Sequence, residues 1–223
     1  MLPCVKWVLE AWLGSGARGI GQIEIRPGEA AFSLSHRDDS ARLDLEILRS
    51  PNDAEELAKY DDEGNFRALK TAPNLRHGWR LELANLGALQ EALELFYPGR
   101  LAALTAWEGH RLTTTSLRAT LDRQTGMYRA AARITDEEMD SLVGRFCRSQ
   151  NGEPGCLRTI LWARDATGAR PSLRLPLDKF IAPIDQTGRG ENVLPLLCQE
   201  ACNLLVAEAR KVVKETPPST AEE

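Results

Sequence analysis

The chain of 223 residues contains no run of eighteen apolar residues, so nothing in it reads as a membrane-spanning helix. It has no excess of basic charge either. Lys plus Arg number 28 against 32 for Asp plus Glu, a net charge of −4, which excludes the basic footprint of a dedicated nucleic-acid binder. Five cysteines are too few for a disulfide scaffold in a chain of this length. Internal repeats and long low-complexity segments are absent. No phosphate-cradling loop occurs: Gly14-Ser15-Gly16-Ala17-Arg18-Gly19 has dinucleotide glycine spacing but follows a helical pattern and precedes a strand, the reverse of the required context. What is present, 43% apolar and 27% charged residues, is the composition of an ordinary globular protein with a real core.

The apolar start, Met1 to Gly16, carries Lys6, Glu10 and two Trp residues, so it reads as a folded helix over Pro3–Leu13 rather than a secretory peptide. The expected compartment is the cytoplasm. Ile20–Arg26 and Ala31–His36 alternate and are joined by Pro27-Gly28, the pattern of a β-hairpin. Leu43, Leu45 and Ile47 predict a further strand over Ala41–Leu48. The acidic stretch Asp53–Gly64 lacks the EF-hand ligand order and reads as a solvated short helix with its turn. An irregular loop over Lys70–Arg76 leads to a strand at Trp79–Leu83. Helices follow at Leu86–Tyr97 and Leu101–Trp107, where the apolar spacing turns helical.

The polar, Thr-rich stretch Gly109–Thr114 marks a domain boundary. Residues 1–112 are expected to form an α+β domain with a small antiparallel sheet. Residues 113–215 form a helix-rich, cysteine-bearing domain, and 216–223 a disordered tail. Ser116–Arg123 reads as a short helix. Thr135 and Glu138 make a capping box that opens a helix to about Cys147, with Met139, Leu142, Val143 and Phe146 on its buried face. Leu157–Trp162 is a short apolar run, strand or buried helix. Asn192 caps a last helix running to about Lys214.

Four of the five cysteines, Cys147, Cys156, Cys198 and Cys202, lie towards the C-terminal end of the chain, whereas Cys4 stands apart as a buried structural thiol. Placed at i and i+4 on that last helix, Cys198 and Cys202 would have Cβ atoms roughly 5–6 Å apart, too far for the about 3.8 Å of a disulfide. They would face one common centre. Cys147 and Cys156 flank the turn-forming loop Arg148–Gly155, whose ends close at little entropic cost. Two sulfurs from a loop and two from a helix can enclose a metal. The spacing leaves its identity open: the 198/202 pair suits structural zinc, the 147/156 gap does not, and the ferredoxin spacings are absent. Arg145, Arg148, Arg158, Arg164, Arg170 and Arg174 stand against only Glu153 and Asp165 between Arg145 and Arg174. Such a bias would compensate a net anionic thiolate centre, although each arginine singly is explained by a solvated face.

The segments Gly155-Cys156-Leu157-Arg158-Thr159-Ile160-Leu161-Trp162 and Leu197-Cys198-Gln199-Glu200-Ala201-Cys202-Asn203-Leu204-Leu205 resemble an iron–sulfur module. That module is known from the C-terminal part of multidomain proteins with a sirohydrochlorin cobaltochelatase-like (CbiX-type) domain. Gln124–Arg129 is also similar to it. Phe32–Asp39 and Leu69–Leu75 resemble the accessory, so-called stabilising, domain that precedes it. The resemblance implies a [4Fe–4S] cluster, with Cys147, Cys156, Cys198 and Cys202 at the ligand positions. It also implies a redox, sensing or supporting role beside a separate chelatase-like or redox partner. The chelatase domain itself is not seen in these residues, so its catalytic activity is not carried over.

Two other readings stand beside this one. Structural zinc could staple an interaction module through the same thiols. A small enzyme could use His36 with Asp38 and Asp39, which follow a strand and could bind a divalent ion or act in acid–base chemistry. His77 and His110 read as isolated surface or hydrogen-bonded residues.

Overall fold

A computed structural model describes residues 4–29, 31–147, 156–162 and 193–215. The fold is α+β. Its chain divides into two compact units: Met1–Leu112 with Leu157–Thr159 and Leu175–Leu197, and Thr113–Cys156 with Ile160–Arg174 and Cys198–Glu223. The loop Arg148–Gly155, Arg164, Arg170, Arg174, Asn192 and the tail 216–223 lie outside the described residues, as does Pro3 at the expected start of the first helix.

In the first unit, α1 (Val5–Gly14) leads into β1 (Gly19–Ile20), β2 (Ile23–Pro27) and β3 (Phe32–His36). The expected hairpin is present, with β2 and β3 antiparallel and Ile25 opposite Leu34. After β4 (Glu46–Leu48) and α2 (Asp53–Lys59), β5 (Trp79–Leu83) returns beside β3 and sets Leu81 opposite Leu34. Ile25, Leu34 and Leu81 thus form one buried row across three strands, the period-two face of a half-covered sheet. With β7 (Val193–Leu194) the sheet has six strands in the order β4-β5-β3-β2-β1-β7. It is mixed rather than purely antiparallel, because β4 runs parallel to β5 and β7 parallel to β1. A parallel neighbour needs a long crossover connection. The β4–β5 link, which contains α2, and the whole chain between β1 and β7 supply them, and neither pairing has a local signal.

The strand expected over Ala41–Leu48 is shorter than its alternation suggested. Leu43 is 98% exposed. The Arg42 amide donates to the Asp39 carbonyl, and the Arg42 guanidinium bonds the carboxylates of Asp39 and Asp44. These contacts curl the chain into a turn, so pairing begins only at Glu46.

Helices α3 (Leu86–Phe96) and α4 (Arg100–Glu108) follow β5. Asn85 caps α3 by accepting from the Ala88 amide. Trp79 stacks on Phe96 with ring centroids 5.1 Å apart, and its indole N–H donates to the Arg76 carbonyl. The Tyr97 hydroxyl accepts from the Gln22 amide at 3.0 Å. That approach needs Gly21: its φ is +55°, and a Cβ there would lie 2.5 Å from the Tyr97 oxygen.

The second unit contains α5 (Leu117–Asp122), a 3₁₀ segment Gly126–Arg133, α6 (Asp136–Cys147) and α7 (Asn203–Glu215). Strands β6 (Arg158–Ile160) and β8 (Leu196–Cys198) pair as a separate two-stranded sheet. The capping box forms as expected: Glu138 N–H donates to Thr135 Oγ1, and Thr135 N–H donates to Glu138 Oε2. Met139, Leu142 and Val143 turn inward from α6 to meet Leu117, Leu121, Leu205 and Val206. The Arg210 guanidinium ties α7 to the 3₁₀ segment by donating to the Met127 carbonyl and lying over the Tyr128 ring.

The last helix differs from expectation. It starts at Asn203, not near Asn192, and Val193–Cys198 is extended and buried throughout. A continuous apolar run of this length fits a buried strand or a buried helix equally well by periodicity, and Pro195 is tolerated in the first turn of a helix, so it did not exclude one.

Candidate metal centre

The changed start of α7 changes the geometry of two cysteines. Cys198 ends β8, and Cys202 immediately precedes α7, its carbonyl accepting the Val206 amide. They are therefore not i and i+4 on one helix face. They sit at the two ends of a strand-to-helix turn, Gln199-Glu200-Ala201.

That turn is held from three directions. Leu161 N–H donates to the Cys198 carbonyl at 2.8 Å, and Thr115 N–H donates to the Gln199 carbonyl at 3.1 Å. The Arg123 guanidinium meets the Glu200 carboxylate at 3.3 Å. Three separate segments thus fix the backbone on which both thiols ride.

Cys198 is 6% exposed and belongs to the hydrophobic core of this unit. Cys147, at the C-terminal end of α6, and Cys202 pack against that same core. Cys156 is half-buried just before β6, on the segment whose Leu161 bonds Cys198. Cys4 is exposed rather than buried as expected, at the N-cap of α1. Among the described residues, two groups contact the Cys198 sulfur. The Trp162 indole N–H donates to it at 3.3 Å, and its own S–H donates to the Glu200 carbonyl at 3.2 Å.

This donor set suits a thiolate-ligated metal or cluster. Soft sulfur donors, of which Cys198 is buried and the other three partly buried, select zinc or iron–sulfur centres over hard cations. A ligating Cys198 loses its proton and the bond to Glu200, while the Trp162 N–H remains directed at a sulfur that now carries charge. The start of α7, with amides not used within the helix, adds positive potential beside Cys202.

His36, Asp38 and His77 form a second group, each with a ligand-type atom within 4.8 Å of the others. His77 was not anticipated; it comes from a distant loop, held by its Nδ1 against the Asp62 carboxylate at 2.7 Å, and its ring centroid lies 3.9 Å from that of His36. Asp39 does not join them. Its carboxylate is buried and accepts from the Gly78 amide and from Arg42. The His36 ring is 1% exposed; its Nδ1 accepts the Asp38 N–H, and its Nε2 lies 3.1 Å from the Gln22 side-chain nitrogen. The Gln22 orientation is set because its Oε1 accepts the Leu75 amide. This histidine knits β3 to the Lys70–Arg76 loop.

Burial, then the neighbouring His77, holds the His36 pKa down, from the usual 6.5 to about 4, against partial opposition from Asp38, Asp39 and Asp62. The sign of the linkage follows. Above pH 6.5 the ring is neutral in both folded and unfolded chains. Between 6.5 and about 4 only the unfolded chain takes up the proton, so stability falls as pH falls. His36→Asn should lose about 2 kcal/mol less unfolding free energy than the parent between pH 7 and pH 4.5. Urea titrations at the two pH values would show it, and equal losses in both proteins would refute the assignment.

Residues 7–111 match the family described as the DR2241 stabilising domain. Residues 109–211 match the family described as a 4Fe-4S iron–sulfur cluster binding domain. Among solved structures, the chain is similar to DR2241 from Deinococcus radiodurans, a multi-domain protein with structural similarity to chelatases and two additional novel domains. The identity is 29% and the TM-score 0.74, over 95% of this chain and 41% of that one. No curated protein matches. Among the described residues no helix is long and apolar enough to cross a membrane. The chain is therefore similar over residues 7–111 to the DR2241 stabilising domain family and over residues 109–211 to the 4Fe-4S iron–sulfur cluster binding domain family.

Proposed function

We propose that the second unit binds a [4Fe–4S] cluster through Cys147, Cys156, Cys198 and Cys202, and that the chain acts as a redox, sensing or supporting accessory to a chelatase-like partner. The observation that carries the reading is Cys198. It is a buried thiol on a backbone pinned by three segments, with Cys147 and Cys202 packed on the same core, within the stretch matched by the cluster-binding family. When bound, the cluster supplies a one-electron carrier whose potential its protein surroundings set. The protein's own part is to hold the sulfurs, shield them with Met139, Leu142, Val143 and Trp162, and offset their charge with the amides at the start of α7.

Ligation by four cysteines leaves no open position for substrate. Electron transfer, sensing or structural support therefore follows better than Lewis-acid catalysis. The similarity to 41% of a chelatase-like multi-domain protein supports a partner of that kind. A reducing cytoplasm, in which free thiols persist, is the compartment that suits the site.

Protein purified without oxygen should be brown, lose visible absorbance on reduction with dithionite and then show an S = 1/2 EPR signal. A colourless protein with one tightly held zinc would replace this reading with that of a zinc-stapled module.

A further inference from the structure

We propose that Trp162 tunes the reduction potential of the centre, its indole N–H donating to the Cys198 sulfur and stabilising the reduced form. The inference rests on the reading that Cys198 ligates an iron–sulfur cluster. Trp162 is 3% exposed, and its Nε1 lies 3.3 Å from Cys198 Sγ, a buried contact between side chains. An indole nitrogen only donates, so this contact survives loss of the cysteine proton, unlike the S–H bond to Glu200. It also becomes charge-assisted.

Reduction adds one negative charge to the centre, part of which resides on the ligand sulfurs. A fixed N–H dipole aimed at one of them stabilises the reduced state more than the oxidised state. The surroundings make the dipole effective. Trp162 and Cys198 share a core with Leu142, Val143, Leu205 and Ala201, where water does not screen it. The ring is held in place by that packing, so the donor is preorganised. Trp162 is thus a positioning residue that acts through Cys198.

The test is a redox titration of the anaerobically loaded full chain, followed by EPR, for the parent and Trp162→Phe. Phenylalanine keeps an aromatic ring and removes the donor. The expected result is a midpoint potential lower by about 59 mV, a tenfold weaker preference for the reduced state in a one-electron couple. Site-specific replacement of Trp162 by benzothienylalanine, which keeps the bicyclic shape but has sulfur in place of the N–H, gives the same readout if phenylalanine packs too poorly to retain the cluster. An unchanged potential in a variant with full iron and sulfide would overturn the role of Trp162 while leaving the cluster reading intact. A parent chain that holds no iron and sulfide would instead overturn the reading on which it rests.

Discussion

Changing Cys198 to serine should cut the iron and acid-labile sulfide bound per chain at least tenfold. The sulfur is buried, and its turn is held by the Leu161 and Thr115 amides and by the Arg123–Glu200 pair. The change in sulfur chemistry is separable from any change in fold. Cys202 stands at the N-cap position of α7, its carbonyl taking the Val206 amide, and serine is among the preferred residues at an N-cap. Cys202→Ser should therefore preserve helix content in the metal-free chain and still lose the centre. Cys4→Ser, exposed at the start of α1 in the other unit, should bind as much iron and sulfide as the parent. Full iron and sulfide in either Cys198→Ser or Cys202→Ser would remove that residue from the ligand set.

The second large effect belongs to the sheet. Trp79→Ala should destabilise the first unit by about 3–5 kcal/mol, a large part of the 5–15 kcal/mol typical of a domain. Trp79 is fully buried, stacks on Phe96 and satisfies the Arg76 carbonyl with its N–H. Alanine leaves a cavity between β5 and α3 and strips that carbonyl of its donor. With a urea dependence of about 2 kcal/mol per M, the midpoint should fall by about 2 M. Trp7→Ala, at an exposed position on α1, should shift it by less than about 0.3 M. Similar midpoints for the two variants would show that the sheet does not depend on this packing.

The parts of the fold legible in the sequence are those written in local patterns. The β2–β3 hairpin, β5, α2, α3, α4 and the capping box of α6 each follow from periodicity or cap chemistry within a few neighbouring residues. Pairings between distant segments left no such mark. The two-residue strands β1 and β7 lie side by side although most of the chain separates them, and β4 is cut short by an ion-paired turn that its alternation does not reveal. Val193–Cys198 shows a limit of another kind, since burial on every side erases the period that separates strand from helix.

The candidate centre was legible by residue type rather than by geometry. Clustering of four thiols between positions 147 and 202 marked it, while the helix on which two of them were expected to ride is a strand end and a cap. Trp162 was visible as a tryptophan closing an apolar run after Cys156. A buried indole N–H requires an acceptor, but only the fold names the Cys198 sulfur as that acceptor. His77 is hydrogen-bonded, as read, but its approach to His36 was not legible, since it depends on Asp62 and a loop remote from β3.

Iron, acid-labile sulfide and zinc determined per chain on anaerobically prepared protein test the central claim most directly. The account predicts close to four iron and four sulfide per chain, no stoichiometric zinc, and none of the three in a chain with Cys147, Cys156, Cys198 and Cys202 all replaced by serine. One zinc per chain without sulfide, or iron and sulfide that persist in the fourfold variant, would contradict it.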